Sequence, residues 1–457
     1  MPKVINPATG ECIRELPWHT AEAVERKLDA TRKAFEQWRE YSFEQRGECL
    51  KAVAKTLREG KARHATLMTE EMGKPVREAL GEVEKTAWCC EHYANHAAGY
   101  LAAETLESDA TRSWVQYLPL GTVLGILPWN SPYWLAARVF APALMAGNTV
   151  LIKHDPHVPG CALAIEDAFR EAGAPEGLLQ ALVIDNEATG KVLRDRRVQA
   201  VSFTGSTRGG RAVSAIAGEQ IKPAVLELGG SDPAVVLADA NLAEAVDTIA
   251  TSRFICAGQS CIAAKRILVE KPVYDEFVTA FRKRLEGLKV GDPTREDTDI
   301  GPLARTDLRD QLHGQVRGSI EAGARCLLGG ELPDGPGSFY PVTLLTDVPF
   351  DAPAFTEETF GPVAAVAAVN DAEHALAVAN DTDYGLAASL WTTPERGEAM
   401  ARRFEAGQVA INGIVKTDPR LPSGGIKTSG YGRELGPHGI REFVNAQQVW
   451  LGPKRDG

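Results

Sequence analysis

Val198-Gln199-Ala200-Val201-Ser202-Phe203-Thr204-Gly205-Ser206-Thr207-Arg208-Gly209-Gly210 carries an apolar run into a glycine turn and then into a helical stretch over residues 209–217. The same order recurs around it. Short apolar runs at 123–127, 150–153, 180–184 and 224–228 alternate with helical patterns at 133–145, 160–171 and 188–193. This alternation predicts right-handed βαβ units, hence an α/β fold with a parallel sheet covered by helices on both faces. Ligands of such sheets meet the carboxyl ends of the strands, where loops enter helices. The loops that matter are therefore Pro128-Trp129-Asn130, Lys153-His154-Asp155-Pro156, Gly205-Ser206 and Glu227-Leu228-Gly229-Gly230. Gly205 permits a tight turn, Ser206 offers a hydroxyl, and the free N–H groups of the helix start suit a phosphate. The six-position dinucleotide fingerprint is absent, so this turn alone is a weak signal. Lys153 adds a cation at a neighbouring strand end, where a lysine is more often simply solvated.

The flanks supply the rest of the body. Amphipathic periodicity predicts helices over 21–39, 43–59, 62–72 and 76–104. Alternation over 112–116 predicts a strand that leaves the body. A second α/β block follows residue 230, with helices near 242–257 and 273–288 and strands near 266–269, 364–369 and 386–391. A glycine-dense loop, 422–434, precedes a last strand at 443–451.

Composition narrows the function classes. The chain has 457 residues, 44% of them hydrophobic, enough for several domains with a sizeable core. Its net charge of −11 and the lack of any Lys/Arg block beyond Arg194-Asp195-Arg196-Arg197 give nucleic acid or an anionic membrane no electrostatic foothold. No signal-like N-terminal pattern and no run of 18 apolar residues occur, and a cytoplasmic protein is expected. The eight cysteines are scattered, as suits a reducing compartment. Cys89-Cys90 with His92 and His96 is the one grouping with a metal flavour. It falls inside a predicted helix and reads as packing, so no metal site is expected.

Chemistry is expected at Phe254-Ile255-Cys256-Ala257-Gly258-Gln259-Ser260-Cys261-Ile262-Ala263-Ala264-Lys265, where small residues surround Cys261. A free cysteine usually behaves as a small buried hydrophobe, and a thiol with an ordinary pKa is a weak nucleophile until something ionises it. By itself Cys261 reads either way.

Cys261 after Gly258-Gln259, Glu227 in Leu226-Glu227-Leu228-Gly229-Gly230, Asn130 after Pro128-Trp129, and Glu358 before Phe360-Gly361-Pro362 together resemble the aldehyde dehydrogenase superfamily. The resemblance runs from Asn6-Pro7-Ala8-Thr9-Gly10 to the last strand. It implies a Rossmann-type cofactor domain over 1–110 and 121–229, a catalytic domain over 230–428, and a β oligomerisation arm over 111–120 and 429–457 that makes a homodimer or homotetramer. It implies that Cys261 adds to an aldehyde carbon, that Asn130 steadies the resulting oxyanion, and that Glu227 activates the water that hydrolyses the thioester. It places Trp129, Lys153, Gly205 and Ser206 against the adenosine and pyrophosphate of a nicotinamide dinucleotide, with Glu358 at the nicotinamide ribose and Phe360 beside the ring. Many relatives that prefer NAD have a glutamate three positions after the lysine; here stands Pro156, which removes a repulsive charge and makes NADP the expected preference over NAD.

The Cys261 and Ser429-Gly430-Tyr431-Gly432-Arg433-Glu434 segments look most like the succinate-semialdehyde dehydrogenase branch. There Arg138 matches an arginine that binds the substrate carboxylate. Ile255 stands where some members have a second arginine, and Ser423 replaces a phenylalanine, so other small aldehydes remain open. Transfer of the acyl group to coenzyme A and a non-catalytic nucleotide-binding relative are the competing readings. The spacing of Cys256 and Cys261 also permits a reversible bond between them.

Overall fold

The computed structural model describes residues 3–452, which form three larger sheets and a two-stranded one that pairs Lys3–Ile5 with Cys12–Glu15. The first has the order Gly430–Tyr431, Ala224–Glu227, Val198–Thr204, Thr122–Leu127, Thr149–His154, Leu179–Ala181, parallel except for its first member. The second places Pro233–Val236 and Arg266–Glu270 at its centre, with Val363–Val369 and Thr343–Thr346 to one side and Ala387–Trp391 and Gln408–Ile411 to the other. Its strands are parallel, with Arg325–Leu328 antiparallel at one edge. The third sets Arg112–Pro119 between Val444–Leu451 and Glu104–Thr105, antiparallel to both. The matches to the sequence pattern follow from burial: the inner strands Thr122–Leu127 and Thr149–His154 are buried throughout, as continuous apolar runs in a covered parallel sheet require.

Where the structure departs from the pattern, a tertiary contact has overruled it. The helix expected over 76–104 ends at Tyr100, because Glu104–Thr105 pairs with Trp114 and Val115. The helix expected over 242–257 stops at Phe254, and Cys256, Ala257 and Gly258 then take left-handed φ values of 55°, 53° and 74°. The segment 429–457, read as arm, gives Gly430–Tyr431 to the first sheet instead, and only Val444–Leu451 pairs with the outlying strand. The helix Thr306–Glu321 was not legible beforehand. Residues 1–2 and 453–457 of the expected segments lie outside the described residues. Cys89 and Cys90 are buried in the helix Val76–Tyr100, where His92 and His96 stack on each other. Among the described residues no helix is long and apolar enough to cross a membrane.

One side chain joins the outlying sheet to the body. Asn148 is fully buried, and its Oδ1 accepts the N–H groups of Leu120 and Gly121 where the strand Arg112–Pro119 turns into the first sheet. Its Nδ2 donates to the carbonyls of Ala143 and Phe443, the latter just before the last strand. Truncation would orphan the N–H groups of Leu120 and Gly121 and the Phe443 carbonyl, at about 1–3 kcal/mol each, while the Ala143 carbonyl keeps the main-chain N–H of residue 148. Asn148→Ala should therefore lower the midpoint of thermal unfolding by roughly 5 °C or more, measured by circular dichroism.

Candidate active site

The first sheet winds in two directions from its middle. From Thr122–Leu127 the chain adds Thr149–His154 and Leu179–Ala181 on one side, then returns to lay Val198–Thr204 and Ala224–Glu227 on the other. The loops leaving Leu127 and Thr204 therefore diverge, and a crevice opens between them at the carboxyl ends. A cavity of about 530 Å³ lies there, facing the second sheet. Trp129, Asn130, Gly205 and Ser206 line it from the first sheet's loops, together with Glu227 from a strand end. Cys261, Glu358 and Phe360 line it from the second block. Lys153 and Pro156 do not line it; Lys153 is buried at the end of the strand paired beside Ile126, and burial lowers its pKa.

The helix start behind Gly205 is shaped for an anion. Ser206 caps the helix Thr207–Glu219, its Oγ accepting the N–H of Gly209 at 3.2 Å. The first helical residues, Thr207 and Arg208, also line the cavity, and N–H groups at such positions have no partner inside the helix. Trp129 and Phe360 meet edge to face with ring centroids 5.7 Å apart, forming an aromatic wall. Glu358 accepts the N–H of Gly230 at 3.0 Å and stands 3.6 Å from Lys265 Nζ. A Cβ at Gly229 would come within 2.5 Å of Glu358 Oε2, so only glycine lets this carboxylate lie there.

Cys261 is delivered by a turn that the sequence alone would not form. Arg253, fully buried, donates through Nε to the carbonyl of Val363 and through Nη2 to those of Thr359 and Gly361. Its Nη1 donates to the carbonyl of Gly258 at 3.3 Å. One guanidinium thus ties the Glu358 loop to the Cys261 turn. Glu78 Oε2 accepts the N–H of Cys256 at 2.9 Å and holds the left-handed start of the turn. A Cβ at Gly258 would lie 2.2 Å from the carbonyl oxygen of Gly361, so no other residue fits there. Lys265, also fully buried, donates to the carbonyls of Ser260 and Cys261. Asn130 Nδ2 donates to the carbonyl of Gln259 at 3.0 Å, which holds the amide two residues before the sulfur. The Cys256 sulfur donates to the main-chain carbonyl of Asn130 at 3.5 Å.

Charge is arranged around the thiol in opposing pairs. Burial pushes the Cys261 thiol up to about 11, against the pull of Lys265 and Arg138. Burial likewise pushes Glu227 up to about 7, with Arg138 opposing the rise. Arg138 is no surface charge: it is buried, its Nη2 donates to Glu227 Oε2 at 3.0 Å, and its Nε is paired with Glu434. It does not line the cavity at the sulfur, and the guanidinium expected to meet substrate is turned towards two carboxylates instead. Ser423 Oγ lies 3.5 Å from Arg138 Nη2. Glu227 Oε1, although buried, has no hydrogen-bond partner among the described residues, and a Cβ at Gly424 would come within 2.8 Å of it.

Five residues of this arrangement carried no assigned role in the sequence: Arg253, Lys265, Glu78, Glu434 and Gly424. The signal available for the first two was a charge inside an otherwise apolar stretch, Arg253 before Phe254-Ile255 and Lys265 before a buried strand. Only the fold reveals which carbonyls they satisfy.

Residues 2–449 match the model of the aldehyde dehydrogenase family. A probable succinate-semialdehyde dehydrogenase [NADP(+)] of Synechocystis sp. is 48% identical over 98% of this chain and 99% of its own. A succinate semialdehyde dehydrogenase [NAD(P)+] of Escherichia coli is 45% identical over 98% of this chain and 97% of its own. The crystal structure of succinic semialdehyde dehydrogenase from Streptococcus pyogenes in complex with NADP+ superimposes with a TM-score of 0.96 at 34% identity, covering 99% of this chain and 100% of that one. With the crevice, the thiol turn and the carboxylate all in the order the sequence resemblance implies, the chain belongs to the aldehyde dehydrogenase family.

Proposed function

We propose that this enzyme oxidises succinate semialdehyde to succinate, with NADP preferred over NAD, through a covalent intermediate on Cys261. The observation that carries the chemistry is the convergence on one cavity of a thiol, a side-chain amide and a buried carboxylate with one unpartnered oxygen. The relatives named for succinate semialdehyde and NADP, at 45–48% identity over nearly the whole chain, support the substrate and the cofactor.

The cavity suits a dinucleotide. The helix start at Thr207 would hold its pyrophosphate, Trp129 and Phe360 would flank it, and Glu358 would take a ribose hydroxyl. Lys153, with Pro156 beyond it, would serve the adenosine end, where the lack of an acid at Pro156 leaves a 2′-phosphate unopposed. When bound, the oxidised nicotinamide accepts the hydride that the substrate carbon gives up.

The residues divide the remaining work. The Cys261 sulfur, once deprotonated, adds to the aldehyde carbon and forms a thiohemiacetal. Asn130 Nδ2, already oriented by the Gln259 carbonyl, and the Cys261 N–H stabilise the negative oxygen. Loss of hydride leaves a thioester. Glu227 then takes a proton from water, which attacks the acyl carbon and releases the acid and the thiol. A carboxylate raised to about 7 is a base matched to neutral pH, and its free oxygen favours water as the acceptor over coenzyme A. The cofactor unit comprises 1–110 and 121–229, the catalytic unit 230–428, and the arm Arg112–Pro119 with Val444–Leu451. Trp450 and Leu451 are exposed on that arm, which suits strand pairing in a homodimer or homotetramer in the cytoplasm.

Cys261→Ser should reduce turnover at least about a thousandfold while reduced cofactor formation at 340 nm follows aldehyde in the parent. A parent that reduces neither cofactor with any of a panel of short aldehydes, with or without coenzyme A, would refute the function. Glu227 is ionised only above about pH 7, so kcat should rise with pH through that value wherever deacylation limits. Glu227→Gln should remove this limb and lower kcat by about 10²–10⁴, yet keep a first-turnover burst of reduced cofactor. Finally, kcat/KM with NADP should exceed that with NAD; a clear NAD preference would overturn the reading of Pro156.

A further inference from the structure

Behind the thiol turn lies a second cavity, of about 360 Å³, which shares no lining residue with the first. Ser260 and Ile262, the neighbours of Cys261, line it, as does Ser131, the neighbour of Asn130. The reacting atoms therefore stand between the two cavities, and an aldehyde presented to the sulfur from this side would extend its chain into the second one. What that cavity offers at its walls decides which chain is welcome.

Its charges are unevenly satisfied. Glu82 lines it, but that carboxylate is paired with Lys74 and accepts the N–H groups of Tyr133 and Trp134 at the start of the helix Pro132–Met145. Glu78 lines it as well, and its carboxylate is taken by the N–H of Cys256. Lys85 has no such partner: no carboxylate of the described residues lies within 4.0 Å of its ammonium. It sits over the ring of Trp134, 4.0 Å from the centroid, and donates to Thr417 Oγ1 at 3.1 Å. Trp134 Nε1 donates to the same oxygen at 2.9 Å. With both of those hydrogens received, the Thr417 hydroxyl has its own hydrogen left to give.

We propose that Lys85, with the Thr417 hydroxyl beside it, binds the distal carboxylate of the substrate. This rests on the acidic-aldehyde function proposed above and deepens it. An ammonium held against an aromatic face in this cavity lacks a counter-ion, and an incoming carboxylate supplies one with charge-assisted hydrogen bonds. Burial, and after it Arg138, lower the Lys85 ammonium to about 8 against Glu82, Cys89 and Asp418, which favour its charge, so an anion beside it relieves a real cost. Ile255, which lines the same cavity, brings no charge, and Arg138 is occupied by Glu227 and Glu434. Lys416, exposed at the rim, adds positive potential on the way in. Arg138 is by the same geometry a positioning residue of Glu227.

The test compares kcat/KM for succinate semialdehyde with that for butanal, a neutral aldehyde of the same chain length, in the parent, K85M, K85R and R138K, with succinate as a competitive inhibitor. Lys85→Met should lower the acidic-to-neutral ratio by roughly 10- to 100-fold and weaken succinate inhibition to match, while Lys85→Arg, which keeps the charge, restores most of the ratio. Arg138→Lys should instead shift the pH limb of kcat for both aldehydes and leave the ratio near that of the parent. A parent with no preference for the acidic aldehyde overturns the substrate reading. A parental preference that survives Lys85→Met, or a loss in K85M that falls equally on both aldehydes and is not rescued in K85R, overturns the assignment of Lys85 alone.

Discussion

The Arg253 guanidinium is the interaction on which the site depends. It is buried with no carboxylate of the described residues in hydrogen-bonding contact, and its donors are spent on main-chain carbonyls of two separate segments, Gly258 on one and Thr359, Gly361 and Val363 on the other. A planar cation with five fixed donors can bring such loops together in one geometry, which a lysine could not reproduce. Its consequence is that Cys261 and Glu358 face the same cavity although 97 positions separate them in the chain, a span read directly from their numbers. The left-handed residues 256–258 are tolerated because Arg253, Glu78 and Lys265 take up the polar groups that the turn exposes.

Around that frame the protein buries acids and bases in unequal company. Glu82 and Glu434 are matched by cations, and the balance keeps the packing intact. Glu227 is matched on only one oxygen, and the other faces chemistry. Glycine at 229 and 424 leaves the two functional carboxylates room that any side chain would take away. Thus the same low-dielectric interior that raises the Cys261 thiol to about 11 also raises Glu227 to about 7, and a ligand that brings positive charge beside the sulfur would favour the thiolate.

The two cavities divide recognition from chemistry. The one at the carboxyl ends of the first sheet follows from the direction in which its strands are laid down, so a parallel sheet of this order would have a crevice whatever its loops carried. The one behind the sulfur is made by the helices Val76–Tyr100 and Pro132–Met145 and by the loop at Thr417, and depends on side chains from distant segments.

The order of strands and helices was legible because apolar runs in a covered parallel sheet are continuous, and Thr122–Leu127 and Thr149–His154 show this directly, as does Val198–Thr204 beyond its exposed Gln199. The thiol turn and the carboxylate strand end were legible as motifs, since glycine and small residues there answer to close approaches that no other side chain allows. Arg138 shows the limit. Its helix and its charge are local, but which anion it meets depends on Glu227 at a strand end and Glu434 in a loop, 89 and 296 positions further along the chain. The chain thus determined by itself the local geometry, which short-range sterics and periodicity govern. The tertiary structure decided which buried charges are neutralised and which are left free, because desolvation and pairing depend on neighbours that are remote in the chain.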